Sequence, residues 1–341
     1  MYRRALAAFL ACVVSACALS GCARHRGPAR GQLTLGMVTD VGGLGDQSFN
    51  DSAYRGLITA RENLGAYVQV LQSRSAADYQ PNLNALTNLH YGMIYAIGFL
   101  MGLDLDSVAK DHPSQRYAII DAVVDDPNVT SITFREQDGS FLAGALAAMV
   151  STSHHIGFLG GADIPLIEKF EAGYSAGARE IDPSIRVDVK YAGSFDDVAA
   201  GKELANLMFN DGADIIFTAA GKVGLGAIEA AKARDGDFII GVDSNQDGLA
   251  PGKVLTSMVK KVDVAVFDVA KSLRDGHPIS GHVVFGLKDG AIGLTDFAYT
   301  KQYVGSERRA RLATIERAIV SGKIVPPDSR AALAGFKPVS L

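Results

Sequence analysis

The residues best suited to chemistry in this chain are acids, amides and phenyl rings that follow apolar runs. After the run at 33–39 comes Asp40-Val41-Gly42-Gly43-Leu44-Gly45-Asp46-Gln47-Ser48-Phe49-Asn50-Asp51, a glycine-rich turn holding carboxylates, amides and an aromatic ring. Asp121 follows the run at 117–120, and Gly193-Ser194-Phe195-Asp196-Asp197 follows the run at 187–191. Ala219-Ala220-Gly221-Lys222 follows 215–218, and Asp243-Ser244-Asn245 follows 238–242. A lone Asp in such a place usually caps a helix or forms a turn. Repetition at one run after another, in both halves of the chain, asks for more than caps. Carboxylates accept hydrogen bonds from hydroxyls, and aromatic faces bury uncharged rings. The combination suits a sugar or a nucleoside better than a phosphate.

Three enzymatic patterns fare worse. Gly173-Tyr174-Ser175-Ala176-Gly177 has the spelling of a nucleophile elbow, which needs a strand just before the serine. Ile164, Ile167, Phe170, Glu171 and Tyr174 instead recur at helical spacing, which puts Ser175 inside a helix. Gly221-Lys222-Val223-Gly224-Leu225-Gly226 follows a strand-like run, with Asp243 about 20 residues on, as in a dinucleotide fold. Its glycine order departs from G-x-G-x-x-G. The seven histidines are scattered, no H-E-x-x-H set occurs, and neighbours His154 and His155 would point to opposite faces of a strand, so no metal site and no cofactor are expected.

The elements that must position the polar residues are βα units. Near-continuous apolar runs at 33–39, 68–71, 93–97 and 117–120, and again at 156–159, 187–191, 215–218 and 238–242, read as parallel strands covered on both faces. Helix-length patterns lie between them, such as 48–64. The rhythm occurs twice, so the fold class is α/β, two doubly wound lobes. Ligands of such sheets bind beyond the carboxyl ends of the strands, where the polar residues cluster. Short runs at 283–285, 291–294 and 297–299 around Gly286, Gly290 and Gly293 suggest β-hairpins, followed by a last helix at 307–321.

The amino terminus indicates an exported chain. Arg3 and Arg4 precede an apolar run at 5–18 that is too short to span a bilayer, which takes roughly 20 residues. Leu19-Ser20-Gly21-Cys22 resembles a bacterial lipobox, so residues 1–21 form a signal peptide and Cys22 becomes the lipidated (palmitate-type) first residue, followed by a tether at 22–32. Cys12, Cys17 and Cys22 are the three cysteines, so the remainder has no disulfide, no thiolate metal site and no cysteine nucleophile. Its length exceeds that at which a single core divides into domains. A net charge of −4 argues against nucleic acid as a partner.

Several long blocks together carry a resemblance. Gly43-Leu44-Gly45-Asp46-Gln47-Ser48-Phe49-Asn50-Asp51-Ser52-Ala53-Tyr54, Ile119-Ile120-Asp121-Ala122 and Phe134-Arg135-Glu136-Gln137-Asp138-Gly139-Ser140-Phe141-Leu142-Ala143-Gly144 resemble the basic membrane protein family of bacterial lipoproteins. So do Gly193-Ser194-Phe195-Asp196-Asp197, Gly241-Val242-Asp243-Ser244-Asn245-Gln246 and Leu255-Thr256-Ser257-Met258-Val259-Lys260-Lys261-Val262-Asp263. The likeness covers about 33–304 and is nearest to substrate-binding lipoproteins of the purine nucleoside receptor type. It implies a type I periplasmic-binding-protein fold: two α/β lobes joined by three crossing segments around a ligand cleft. Lobe 1 would span 33–137, completed by about 258–284, and lobe 2 would span 138–257, completed by about 285–341. It implies that Phe49 and Phe195 sandwich a purine, with Phe217 near the same region. Asp40 and Asn50 would read the base edge, Asp121 would contribute from the first lobe, and Asp243 and Lys260 would hold the ribose hydroxyls. Adenosine, guanosine or inosine is then the ligand, ABC permease subunits the partners, and the lipid on Cys22 the link to the extracytoplasmic face of the cell membrane. A monomer is expected because hinged lobes must move freely. The chain departs from the family at Lys222 and Val223, where glycines are common, which alters that wall of the cleft. The same fold binding a sugar or another small polar signalling ligand is the alternative reading. An exported hydrolase using Ser175, or Asp40 with Asp121, is a third.

Overall fold

In the computed structural model, which describes residues 27–339, two six-stranded sheets form two lobes. Strands β1 (Thr34–Thr39), β2 (Tyr67–Gln72), β3 (Met93–Ile97), β4 (Tyr117–Ile120) and β5 (Val129–Phe134) build the first sheet. They alternate with helices α1 (Phe49–Leu64), α2 (Tyr79–Asn88) and α3 (Gly102–Asp111). The second sheet takes β6 (His155–Gly160), β7 (Arg186–Tyr191), β8 (Ile215–Ala219), β9 (Phe238–Asp243) and β10 (Val254–Lys260). Its helices are α4 (Glu136–Val150), α5 (Pro165–Ile181), α6 (Val198–Asn210) and α7 (Val223–Lys232). The chain then returns through α8 (Val262–Arg274) and β11 (Gly281–Phe285) to the first sheet, and crosses again to β12 (Ile292–Leu294) in the second. Helices α9 (Lys301–Val320) and α10 (Arg330–Ala334) close the described part.

The strand orders are β2-β1-β3-β4-β5-β11 and β7-β6-β8-β9-β10-β12, so each lobe repeats the other strand for strand. Every pair in both sheets is parallel except β10 with β12, which is antiparallel. The central strands are buried from end to end, because helices cover both faces. The two sheets are therefore the doubly wound α/β lobes expected from the apolar runs, in the type I periplasmic-binding-protein arrangement that the resemblance implies. Three segments cross between lobes: after Phe134, after Lys260 and after Phe285. Two backbone bonds tie the first and the second to the third, Arg135 N–H to the Phe285 carbonyl and Lys261 N–H to the Ala291 carbonyl, each 2.8 Å.

The structure corrects the sequence reading in several places. β5 and β10 are strands that the apolar-run reading passes over, because Thr130, Ser131, Thr256 and Ser257 interrupt them. The first two hydroxyls find backbone acceptors: Thr130 Oγ1 donates to the carbonyl of the distant Ile279 (2.8 Å) and Ser131 Oγ to the Val124 carbonyl (3.2 Å). The expected hairpins do not form, since β11 and β12 lie in different sheets. Residues 297–299 are a turn, with Phe297 at φ 62°; the helix expected at 307–321 begins at Lys301 with a kink at Gly305, and it is not the last, since α10 follows it. The second crossing falls after Lys260, the last residue of β10, which still pairs with Ile292 of β12.

The glycines of Gly173-Tyr174-Ser175-Ala176-Gly177 serve packing. Ser175 sits mid-helix in α5 and is buried. A Cβ on Gly177 would run into the Phe141 carbonyl of α4, and one on Gly173 into the Gln137 backbone. Gly226 meets the Val198 carbonyl of α6 in the same way. Both enzyme-like glycine patterns therefore mark helix pairs whose backbones approach closely.

Candidate functional site

The strand exits of both lobes converge on one cleft, beyond the carboxyl ends of the strands where folds of this kind take their ligands. All seven expected ligand-contacting residues line it: Asp40, Phe49, Asn50 and Asp121 from the first lobe, and Phe195, Asp243 and Lys260 from the second. Cys22 and the export signal lie outside the described residues.

The β1 exit is held in shape by its own acids. The Asp46 carboxylate accepts the backbone N–H groups of Ser48 (2.9 Å), Asn50 (2.7 Å) and Asp51 (3.1 Å), satisfying donors at the start of α1. The Asp51 carboxylate accepts those of Gly45 and Gln47, 2.8 and 2.9 Å away. These two acids build the turn. Asp40 Oδ1 accepts from Gly42 N–H (2.9 Å) and Asn50 Nδ2 (2.8 Å), which orients the amide so that Asn50 Oδ1 is left buried without a partner. Gly98, at φ 114°, follows β3, and a Cβ there would stand 2.9 Å from Asp40 Oδ2. Ser48 heads α1 without capping it; its hydroxyl lies 2.9 Å from Asp243 Oδ2 and 3.1 Å from the Val242 carbonyl, spanning the lobes. Gln246 Nε2 to the Gln47 carbonyl (3.1 Å) and Arg55 Nη2 to Ser244 Oγ (2.8 Å) span them too.

Asp121 directly follows β4 and Asp243 ends β9, strands that hold the same place in the two sheets, and both residues stand in the left-handed backbone region, at φ 70° and 62°. Such a conformation costs on the order of 1–3 kcal/mol for a residue with a side chain and collects at functional sites. Between them lies Lys260, 2% exposed. Its ammonium donates to Asp121 Oδ2 at 2.6 Å and stands 3.6 Å from Asp243 Oδ1 and 3.9 Å from Glu136 Oε1. The direct bond of Lys260 is thus to Asp121, with Asp243 beside it. The rings of Phe49, Phe134 and Phe170 surround the ammonium at 4.8, 5.4 and 5.6 Å, close enough for cation–π attraction.

Burial dominates the electrostatics. It pushes Asp40 and Asp243 up to about 6, and Glu136 up to about 7, against the pull of Lys260 on the latter two. Burial also opposes the charge on Lys260, but Asp121, Asp243 and Glu136 outweigh it and hold the ammonium above its ordinary value. One cation faces several acids, so an anionic ligand would meet repulsion here. Asn50 Oδ1, Asp121 Oδ1 and Asp243 Oδ1 are buried acceptors with no donor. Together they describe a neutral guest rich in hydroxyl or N–H groups.

The sequence reading missed Phe170 and Glu136. Phe170 lines the cleft from α5, on a helix whose period reads simply as core. Phe217 is fully buried behind it, with ring centroids 6.4 Å apart, and does not line the cleft. Glu136 stands at the first crossing, directly after the overlooked strand β5, with both carboxylate oxygens lacking hydrogen bonds and Lys169 at 3.5 Å. The Lys222 ammonium comes within 3.9 Å of where a Cβ on Gly43 would sit, across the lobes.

Two doubly wound lobes with a polar, aromatic-lined cleft at their facing strand ends define a two-lobed solute-binding protein. The family described as "ABC transporter substrate-binding protein PnrA-like" matches residues 33–330, and the chain belongs to it. It is 35% identical to the ABC transporter nucleoside-binding protein BmpA of Lactococcus lactis subsp. cremoris, over 96% of this chain and 100% of that one. It is also 35% identical to basic membrane protein A of Borreliella burgdorferi, over 85% and 87% of the two chains. A solved ABC-transporter solute-binding protein from Aeropyrum pernix K1 superposes with a TM-score of 0.82 at 29% identity, covering 89% of this chain and 96% of that one. The dimeric lac repressor shares the fold alone, at a TM-score of 0.62 and 16% identity.

Proposed function

We propose that this substrate-binding protein closes its lobes on a purine nucleoside and delivers it to an ABC permease. The observation that carries the reading is the set of three donor-less oxygens, on Asn50, Asp121 and Asp243, within a cleft also lined by Phe49, Phe170 and Phe195. Ribose hydroxyls supply donors to Asp121 and Asp243, the base edge supplies one to Asn50, with Asp40 fixing that amide, and the phenyl rings of Phe49 and Phe195 cover the purine faces. The nucleoside-binding name of the Lactococcus relative supports the choice of ligand. The ligand bridges lobes that each supply half the contacts, so it favours the closed form through bonds made only there. The acids serve binding, and no turnover is expected.

Protein stripped of ligand by unfolding and refolding should gain thermal stability with adenosine, guanosine or inosine. A ligand at 100 times its Kd adds about 2.7 kcal/mol. Free ribose should give no shift and fail to displace the nucleoside. A response to ribose or another sugar, with none to nucleosides, would transfer the cleft to sugar recognition.

We further propose that Cys22 carries the lipid that holds a monomeric receptor at the outer face of the cytoplasmic membrane. Among the described residues no helix is long and apolar enough to cross a bilayer. Cys22→Ala should shift the protein from the membrane fraction to the soluble one, read by fractionation and by the intact mass of the amino terminus.

A further inference from the structure

At the end of the second sheet opposite the cleft, where β6 begins, three side chains from separate elements meet. His155 opens β6, Asp188 lies in β7 beside Gly157, and Asp211 directly follows α6. In the parallel register His155 and Gly157 share a face, and Asp188 stands next to Gly157 on it, so imidazole and carboxylate rise from the same side of the sheet. The turn through Gly212, at φ 103°, leads from α6 to Asp214, whose N–H donates to the His155 carbonyl at 3.1 Å, and brings Asp211 to the imidazole. A ring nitrogen of His155 and one carboxylate oxygen from each Asp all lie within 4.8 Å of one another. His155 is 6% exposed, and its Nε2 is buried with no hydrogen-bond partner. Asp188 Oδ2 is also buried without a hydrogen bond. A buried imidazole nitrogen normally finds a partner.

We propose that His155, Asp188 and Asp211 bind one divalent transition-metal cation, with Zn²⁺ the best match. One imidazole nitrogen with two carboxylate oxygens suits Zn²⁺, whereas Ca²⁺ takes oxygen ligands alone. Bonds of about 2.0–2.2 Å to a common ion place ligand atoms roughly 3–4 Å apart, which a small rotation of the exposed Asp211 achieves. Arg186 Nη2 bonds Asp211 Oδ2 at 2.5 Å and orients that ligand, as outer partners of metal-bound carboxylates do. Lys190 stands 3.4 Å from Asp188 Oδ2 and would give way to the ion. The ion would fasten the edge strand β7 to β6 and to the turn after α6.

The test is titration of the tag-free, EDTA-stripped full chain with Zn²⁺ by calorimetry, together with its melting temperature. One equivalent should bind and raise the melting temperature. Affinity should fall at least tenfold in Asp188→Asn and in Asp211→Asn, while Ca²⁺ should not compete. Asp211 is largely exposed, so its substitution decides the question even where His155→Gln fails to fold. No stoichiometric binding, or binding unchanged by both Asp substitutions, would overturn the site. Loss with His154→Ala instead would place the ion on the exposed His154–Asp182 pair and also overturn it.

Discussion

Asp243 carries several burdens at once: a strained backbone, a buried charge, a bond from Ser48 of the other lobe and an oxygen without a donor. Asp243→Ala should weaken nucleoside binding by tenfold or more, measured by calorimetry, because a hydrogen bond to a charged group is worth about 1.5–3 kcal/mol. An unchanged Kd would remove Asp243 from the ligand's contacts. Its raised pKa, about 6, also sets a pH dependence with opposite signs for binding and stability. In the ligand-free protein the native state holds this proton more tightly than the unfolded chain. The stabilisation is therefore full below about pH 4 and lost as pH rises through 6, and Asp40 and Glu136 act in the same direction up to about pH 7. The ligand's hydroxyls prefer the ionised carboxylate. One group titrating near 6 makes affinity fall about tenfold from pH 7 to pH 5, with proton release on binding near pH 6. A pH-independent Kd over that range would contradict this assignment of charge. Asp121 and Asp243 were legible because a carboxylate directly after an apolar run can be placed at a strand exit without knowing the fold. Their left-handed backbone was not, since no residue pattern marks it. Phe170 stayed hidden because one aromatic on an amphipathic helix reads as core, and only the packing separates it from Phe217 behind it.

Among the elements, the pair α4 and α5 does most to fix the second lobe. Gly144, Gly173 and Gly177 let the two backbones touch, and α5 then presents Leu166, Ile167 and Phe170 to the cleft. Gly177→Ala drives a methyl group into the Phe141 carbonyl and should cost about 2–4 kcal/mol, seen as a lower denaturation midpoint. Ser175→Ala, two residues away on the same helix, should leave the midpoint within about 1 kcal/mol and ligand binding unaltered. Equal losses in both variants would refute the packing account of the glycines. The helical period around Ser175 was readable from Ile164 to Tyr174, so the elbow pattern failed on sequence grounds. The partner that demands the glycines became visible only in three dimensions. Strands were legible where both faces are apolar. β5 and β10 were not, because buried hydroxyls that find backbone acceptors imitate a solvent-facing pattern.

At the scale of the molecule, the two lobes repeat one strand order, and the rhythm of apolar runs announced that duplication. The sheet edges broke it: β11 and β12 complete different sheets, one parallel and one antiparallel. Register with a distant strand, not local residue type, decides which sheet takes each. The three crossings also fix an order of assembly. A ribosome releases the chain from its amino end, and the first sheet lacks its edge strand until Phe285 has emerged. The second lacks its own until Leu294, so neither sheet is complete before most of the other has been made. Long-range pairing of this kind delays folding. A nascent chain that stays unfinished until its last quarter remains threadable through a narrow translocation channel for most of its synthesis.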